Sequence, residues 1–430
     1  MTDQTASCPT AARPTASQPA ADHARPIRLE RGDLRPVGDL PAVARRAFAL
    51  ALAVERGRLD VRVPDGRTFR VEGRLPGPQA EIEIRDWRFV RRVLAAGDVG
   101  VGEAYIAGEW SSPAVATVLE LFAVNRRTTF EPLTAHPLMR ALLKVRHWLN
   151  RNTRAGSRRN ISAHYDLGNA FYAAWLDETM TYSAGLFATG ADDLASAQRE
   201  KYRALARAAR IEPGHRVLEI GCGWGGFAAF AAGEIGARVT ALTISREQHD
   251  HARRRVHEAG LADRVEVVLR DYRDERGTYD RIASIEMLEA VGERYWPVYF
   301  RSLVERLKPG GAAGLQTIVI RDDLFDSYRR TPDFIQRHVF PGGMLPSPAR
   351  LADLGRSAGL DLVAERAFGA DYARTLAEWR ARFRRAWPEI APLGFDERFR
   401  RLWEFYLSYC EAGFRAGNVD VRQVVFARPA

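Results

Sequence analysis

The run Gly221-Cys222-Gly223-Trp224-Gly225-Gly226 constrains the fold most, because it follows an apolar stretch at 217–220 and opens a helical pattern. A strand that runs into glycines and then into a helix lets backbone N–H groups approach a nucleotide closely. The pattern continues with a helix at 225–236, a strand at 238–244, a helix at 246–260 and strands at 265–269 and 281–285. Such alternation requires a mostly parallel sheet with helices on both faces, a doubly wound α/β fold. A helix at 296–307 stops at Lys308-Pro309-Gly310-Gly311, where proline and glycine cannot continue it, and a strand at 313–320 follows. After a long insertion, 360–365 and 421–426 read as two more strands.

Glu219, at the end of the first strand, narrows the cofactor. A carboxylate beside the loop repels a pyrophosphate but suits the ammonium and sulfonium of S-adenosylmethionine. A dinucleotide enzyme would also place an acid at the end of the second strand, which here reads Leu242-Thr243-Ile244-Ser245. Taken alone, Gly225 or Gly226 would equally serve a tight strand-to-helix turn.

At 430 residues the chain exceeds the usual size of one core, so two globular units are expected. Residues 1–25, rich in Ala, Thr, Pro, Ser and Gln, read as a disordered tail. Residues 26–132 read as a small α+β domain, with alternating runs at 59–63 and 69–71 and a helix at 113–124. Residues 133–160 form a basic amphipathic linker. Arg140, Lys144, Arg146, Arg151, Arg154, Arg158 and Arg159 accumulate there beside Leu142, Leu143, Val145, Trp148 and Leu149, with no acid. Such a segment can lie in an anionic membrane interface or dock on its own protein, and both readings stay open. Residues 161–430 form the catalytic domain.

The net charge of +10 favours polyanions, although an arginine-rich proteome would give the same balance. No motif that reads RNA or DNA accompanies it, so no nucleic-acid partner is expected. Cys8, Cys222 and Cys410 are too scattered for a disulfide framework or a clustered metal site. With no apolar stretch of about 18 residues and no signal-peptide layout, the expected location is cytoplasmic, peripheral at the inner membrane face.

Several segments together resemble the cyclopropane-fatty-acyl-phospholipid synthases and the related mycolic acid and tuberculostearic acid methyltransferases. They are His164-Tyr165-Asp166-Leu167-Gly168-Asn169, Met180-Thr181-Tyr182-Ser183, Thr243-Ile244-Ser245-Arg246-Glu247-Gln248, Asp271-Tyr272-Arg273-Asp274 and Phe340-Pro341-Gly342-Gly343, with the glycine loop. Gly102-Glu103-Ala104-Tyr105-Ile106-Ala107-Gly108-Glu109-Trp110 extends the resemblance into the first domain. It implies a class I methyltransferase-like fold and transfer of the sulfonium methyl to a double bond of an unsaturated acyl chain in a phospholipid. The resulting carbocation then loses a proton, leaving a cyclopropane or, after a hydride shift, a 10-methylene branch of the tuberculostearate type. Tyr182, Tyr165 and Phe187 are candidate aromatic faces for the cation, each equally readable as ordinary packing.

By the same resemblance Tyr182, Ser183, Glu219, Gly221, Gly223, Gly225, Thr243, Gln248, Tyr272 and Arg273 line the cofactor, with Tyr272 near the adenine. Glu289, Tyr372, Gln316 and Ile318 belong to the catalytic set, with Glu289 matching the carboxylate of a site that holds bicarbonate as proton acceptor. Two departures put bicarbonate in doubt. Ala184 stands where a cysteine is common, and Gln316 where a histidine is common. The segments around Trp110 and Glu286 to Gly292 look more like the tuberculostearate branch, which would bring in a partner reductase. A homodimer is compatible with the reading. The alternatives are a non-catalytic lipid-surface protein that keeps the fold, and a methyltransferase of a soluble small molecule.

Overall fold

The structure, a computed structural model, describes residues 25–129, 167–187 and 190–430. The first sheet has the order β1-β3-β2-β4-β5, built from β1 (Ile27–Arg28), β2 (Arg56–Arg62), β3 (Thr68–Glu72), β4 (Leu75–Ile84) and β5 (Trp110–Ser111). Along β2 and β3 the apolar residues alternate inward, as the sequence pattern predicts for a half-buried strand. The helix Arg88–Ile106 and the strand β4 were not legible as such, and the helix expected at 113–124 runs from Val115 to Val124.

The second sheet carries the expected α/β fold. Its strands are β6 (Arg216–Ile220), β7 (Arg238–Thr243), β8 (Val265–Leu269), β9 (Tyr279–Ile285), β10 (Leu307–Ile320), β11 (Asp361–Ala367) and β12 (Val419–Ala427), in the order β11-β12-β10-β9-β6-β7-β8. Strands β8, β7, β6, β9 and β10 pair in parallel, and β12 runs antiparallel between β10 and β11. Val217, Leu218, Glu219 and Ile220 are all buried, which is what a central strand covered on both faces requires. Because chain order reverses between β6 and β9, a crevice opens beyond their carboxyl ends.

Two expected elements differ in detail. The helix after the glycine loop is α-helical only over Gly226–Phe230, and a π-helix turn, Ala231–Ile235, completes it. Strand β10 begins at Leu307, but its regular register with β9 starts at Ala312, because Pro309 and the two glycines shift the pairing. The segment read as an insertion supplies the helices Asp322–Tyr328, Phe334–His338 and Pro348–Ser357. Two long helices, Gly369–Ile390 and Glu397–Arg415, lie between β11 and β12.

The helix Glu397–Arg415 joins the two sheets. Its Phe405 ring lies 5.7 Å from Tyr105, 6.4 Å from Trp110 and 4.7 Å from Phe334, so one hydrophobic core runs from the first sheet into the second unit. Gly102 permits this contact. A Cβ there would come within 2.4 Å of the Phe334 ring and 2.8 Å of Phe405. Gly102→Val should therefore lower the urea midpoint by an amount equivalent to about 1–3 kcal/mol while leaving cofactor binding intact. An unchanged midpoint would mean that this aromatic junction can yield.

Candidate active site

The crevice is a cavity of about 890 Å³. Its walls include Tyr182, Ser183, Glu219, Gly221, Gly223, Thr243, Gln248, Tyr272, Arg273, Glu289, Ile318 and Tyr372, so most of the residues singled out from sequence meet there. Gly225 and Gln316 do not line it. Gly225 takes a left-handed turn (φ 83°) against Ala252 at the head of the helix, which is the turn role. Gln316, 1% exposed, lies behind the wall. Phe187, expected as a cation-facing ring, is not in the wall either. Arg374 stacks 3.9 Å above its ring instead. Tyr165 and the basic segment 133–160 lie outside the described residues.

At the cofactor end, Gly223 adopts φ 51° and a Cβ added there would meet nothing within 4 Å, so the backbone leaves an open cradle toward the cavity. Glu219 is 3% exposed, its Oε2 has no hydrogen-bond partner, and burial pushes its carboxyl up to about 8. A buried acceptor left unpaired beside an open cradle fits a cationic nucleotide ligand better than a phosphate. Ser245 caps the next helix by accepting from the Gln248 N–H, and the Thr243 hydroxyl donates to Gln248 Oε1 at 2.9 Å, which fixes both on the rim. Arg273 is held by Asp271 through a bidentate pair, and its guanidinium lies 5.7 Å from the Tyr272 ring.

At the other end lies an acidic pair that sequence reasoning only half found. Glu289 Oε1 accepts from the Thr317 hydroxyl at 2.9 Å and from the Ile318 N–H, while Oε2 has no partner. Burial, then the neighbouring Glu286, push Glu289 up to about 8. Glu286 was not assigned a role. Its Oε1 accepts from the Ala184 N–H at 2.8 Å and from Gln316 Nε2 at 2.8 Å, and its Oε2 accepts from the Tyr372 hydroxyl at 2.7 Å. The Gln316 amide orientation follows from its neighbour. Gln423 Nε2 donates both to the Lys201 carbonyl and to Gln316 Oε1, leaving Gln316 Nε2 to face Glu286.

Burial raises the Glu286 carboxyl, and Lys201 opposes that rise. The Lys201 ammonium is fully buried, bonded to the Ser183 hydroxyl, and lowered to about 7 by desolvation. Glu286 also holds φ at 49°, a left-handed conformation that costs a non-glycine residue about 1–2 kcal/mol. Its legible signal was the extra acid three residues before Glu289, coinciding with Ala184 and Gln316. The far wall is also new. Asp98, Val101, Leu119, Phe122 and Arg126 from the first unit close the cavity with Tyr406, Tyr409 and Phe414 from the last helix. Among the described residues no cluster could hold a metal ion.

The family model of mycolic acid cyclopropane synthetase matches residues 152–424. The tuberculostearic acid methyltransferase UfaA1 of Mycobacterium tuberculosis is 43% identical over 346 residues, 79% of this chain and 81% of that protein. The cyclopropane-fatty-acyl-phospholipid synthase of Escherichia coli is 36% identical over 383 residues, 86% of this chain and 96% of that one. Among solved structures, the cyclopropane synthase MmaA2 from Mycobacterium tuberculosis superposes with TM-score 0.60 at 28% identity, covering 63% of this chain and 98% of that chain. The mycolic acid cyclopropane synthase CmaA1 complexed with SAH and CTAB gives the same TM-score of 0.60, identity of 28% and coverage of 63% and 98%.

Calorimetry tests the cofactor end. Gly223→Val should abolish S-adenosylmethionine binding in a folded protein, because its side chain would fill the cradle. In the wild type a bound cation lowers the Glu219 pKa from about 8, so binding near neutral pH should release part of a proton and tighten as pH rises through that value. Glu219→Gln should lose that share of the release. Identical proton release in the wild type and Glu219→Gln would show that Glu219 does not face the cation.

Proposed function

The chain belongs to the mycolic acid cyclopropane synthetase family, and from that premise we propose that it methylates the double bond of an unsaturated acyl chain carried by a phospholipid. It is an S-adenosylmethionine-dependent methyltransferase that acts on lipid acyl chains. The observation that carries the finer reading is the shape of the cavity. One space joins the glycine loop to an apolar chamber walled by Val101, Leu119, Phe122, Phe340 and Phe414, and the two glutamates sit in its wall. An acyl chain suits such a chamber, since each methylene removed from water contributes about 0.8 kcal/mol.

In this reading the cofactor supplies the methyl as an electrophile and the alkene electron pair is the nucleophile, so no side-chain nucleophile is needed. Tyr182, Ser183, Glu219, Gly221, Gly223, Thr243, Gln248, Tyr272 and Arg273 hold the cofactor. Glu289, Tyr372 and Ile318 frame the reacting carbon, and Gln316 acts from behind the wall. The rings of Tyr182, Tyr372 and Tyr406, all in the cavity wall, offer faces to a carbocation. The hydroxyls of Tyr182 and Tyr406 bond each other at 2.7 Å, which fixes both rings.

The relative of higher identity is named for tuberculostearic acid, which favours a methylene branch that a partner reductase would saturate. The cyclopropane synthase relative supports the ring as the second reading. Among the described residues no helix is long and apolar enough to cross a membrane. Contact with an anionic bilayer is assigned in this proposal to the basic residues of the sequence between 133 and 160, on their charge alone, and rising salt should weaken sedimentation with anionic vesicles.

Mass spectrometry of lipids from cells expressing the protein tests the substrate. Unsaturated phospholipids should gain the mass of one methylene, and fragmentation should place the new carbon in a branch or a ring at the former double bond. Label from the cofactor that enters only soluble compounds would overturn the proposal.

A further inference from the structure

The Ala184 N–H, the Gln316 amide and the Tyr372 hydroxyl, all three at positions where resemblance places the site of an anion from solution, are already bonded to a carboxylate of the chain itself. We propose that Glu286 is the built-in proton acceptor of the reaction, occupying the place of an external anion so that this enzyme needs none. The inference rests on the lipid-alkene reading above.

Four observations carry it. Glu286 lies in the wall of the cavity that the cofactor loop also lines. Three donors from three separate elements fix its head: the segment before the helix Leu194–Ala208, strand β10, and the helix Gly369–Ile390. A carboxylate has about four lone-pair positions, and these bonds use two on Oε1 and one on Oε2, leaving one on Oε2 to take a proton. The backbone holds this residue at φ 49°, where glycine would sit without strain, so the side chain is kept in place by its surroundings. The charged groups facing it are Lys201, which compensates it, and Glu289, which burial holds largely protonated at neutral pH. Desolvation also makes Glu286 a stronger base than an ordinary carboxylate.

The step balances as follows. The alkene pair forms the new C–C bond while the C–S bond breaks and its electrons stay on sulfur, leaving a cation on the acyl chain. A C–H bond of that cation then breaks. Its electrons close the cyclopropane or, after the hydride shift, form the methylene double bond, and its proton passes to Glu286 Oε2. The neutral acid returns its proton to water once product leaves.

The test uses the full-length enzyme, vesicles of unsaturated phospholipid and buffers stripped of carbon dioxide. The wild type should turn over equally with and without added bicarbonate. Glu286→Gln should lose about 10²- to 10⁴-fold in turnover while calorimetry shows unchanged S-adenosylmethionine affinity. Glu286→Gly, which relieves the backbone and vacates the site, should recover activity with added bicarbonate. ¹³C-bicarbonate NMR should show binding to that variant and none to the wild type. A wild type that stops without bicarbonate and restarts with it, or a Glu286→Gln enzyme of normal turnover, would overturn the inference. Failure of the lipid reading looks different. The wild type would then methylate no unsaturated lipid in either buffer, and this inference would fall with it.

Discussion

The pairing of β6 with β9 is the constraint on which the rest depends. Val217, Leu218 and Glu219 align with Arg281, Ile282 and Ala283, and the Ser284 hydroxyl bonds the Ile220 carbonyl at 2.9 Å. These contacts bring the ends of two strands distant in sequence side by side at the reversal of strand order, where a doubly wound sheet leaves its crevice. The glycine loop leaves one strand and Glu286 leaves the other. A change of register between them would separate the cofactor cradle from the acidic pair.

Closing that crevice has an electrostatic cost that the site uses. The helices after β11 and the helices of the first unit cover the carboxyl ends of the strands, so Glu219 and Lys201 are buried and Glu286 and Glu289 half-buried in the wall. Desolvation raises the carboxyls and lowers the ammonium. Three carboxyls that line one cavity and are each shifted toward neutrality are suited to receiving a cation at one end and a proton at the other. The first unit is therefore part of the site as well as of the core, since Asp98, Val101, Leu119 and Arg126 complete its wall.

Much of this was legible from local pattern. The glycine run after an apolar strand, Glu219 at its end, and the alternation of strands and helices depend on neighbours in sequence, and the structure places them as expected apart from the π-helix turn and the register shift before Ala312. What was not legible depends on distant segments meeting. Phe187 carried the right chemistry, but Arg374 covers it from nearly two hundred residues away. Ala184 and Gln316 looked like losses of an anion site until Glu286 was seen bonded to both. The role of Phe405 as the hub between sheets likewise needed the packing of the last long helix to be known.

The central claim is that one cavity sets an acyl double bond between the cofactor cradle and the Glu286 carboxylate. A crystal structure with S-adenosylhomocysteine and an unsaturated phospholipid tests it most directly. The account predicts a double-bond carbon within roughly 4 Å of the cofactor sulfur's methyl position, with Glu286 on the far side in hydrogen-bond reach of that carbon or its neighbour. An acyl chain bound outside the cavity, or a double bond remote from Glu286 with another anion between them, would contradict it.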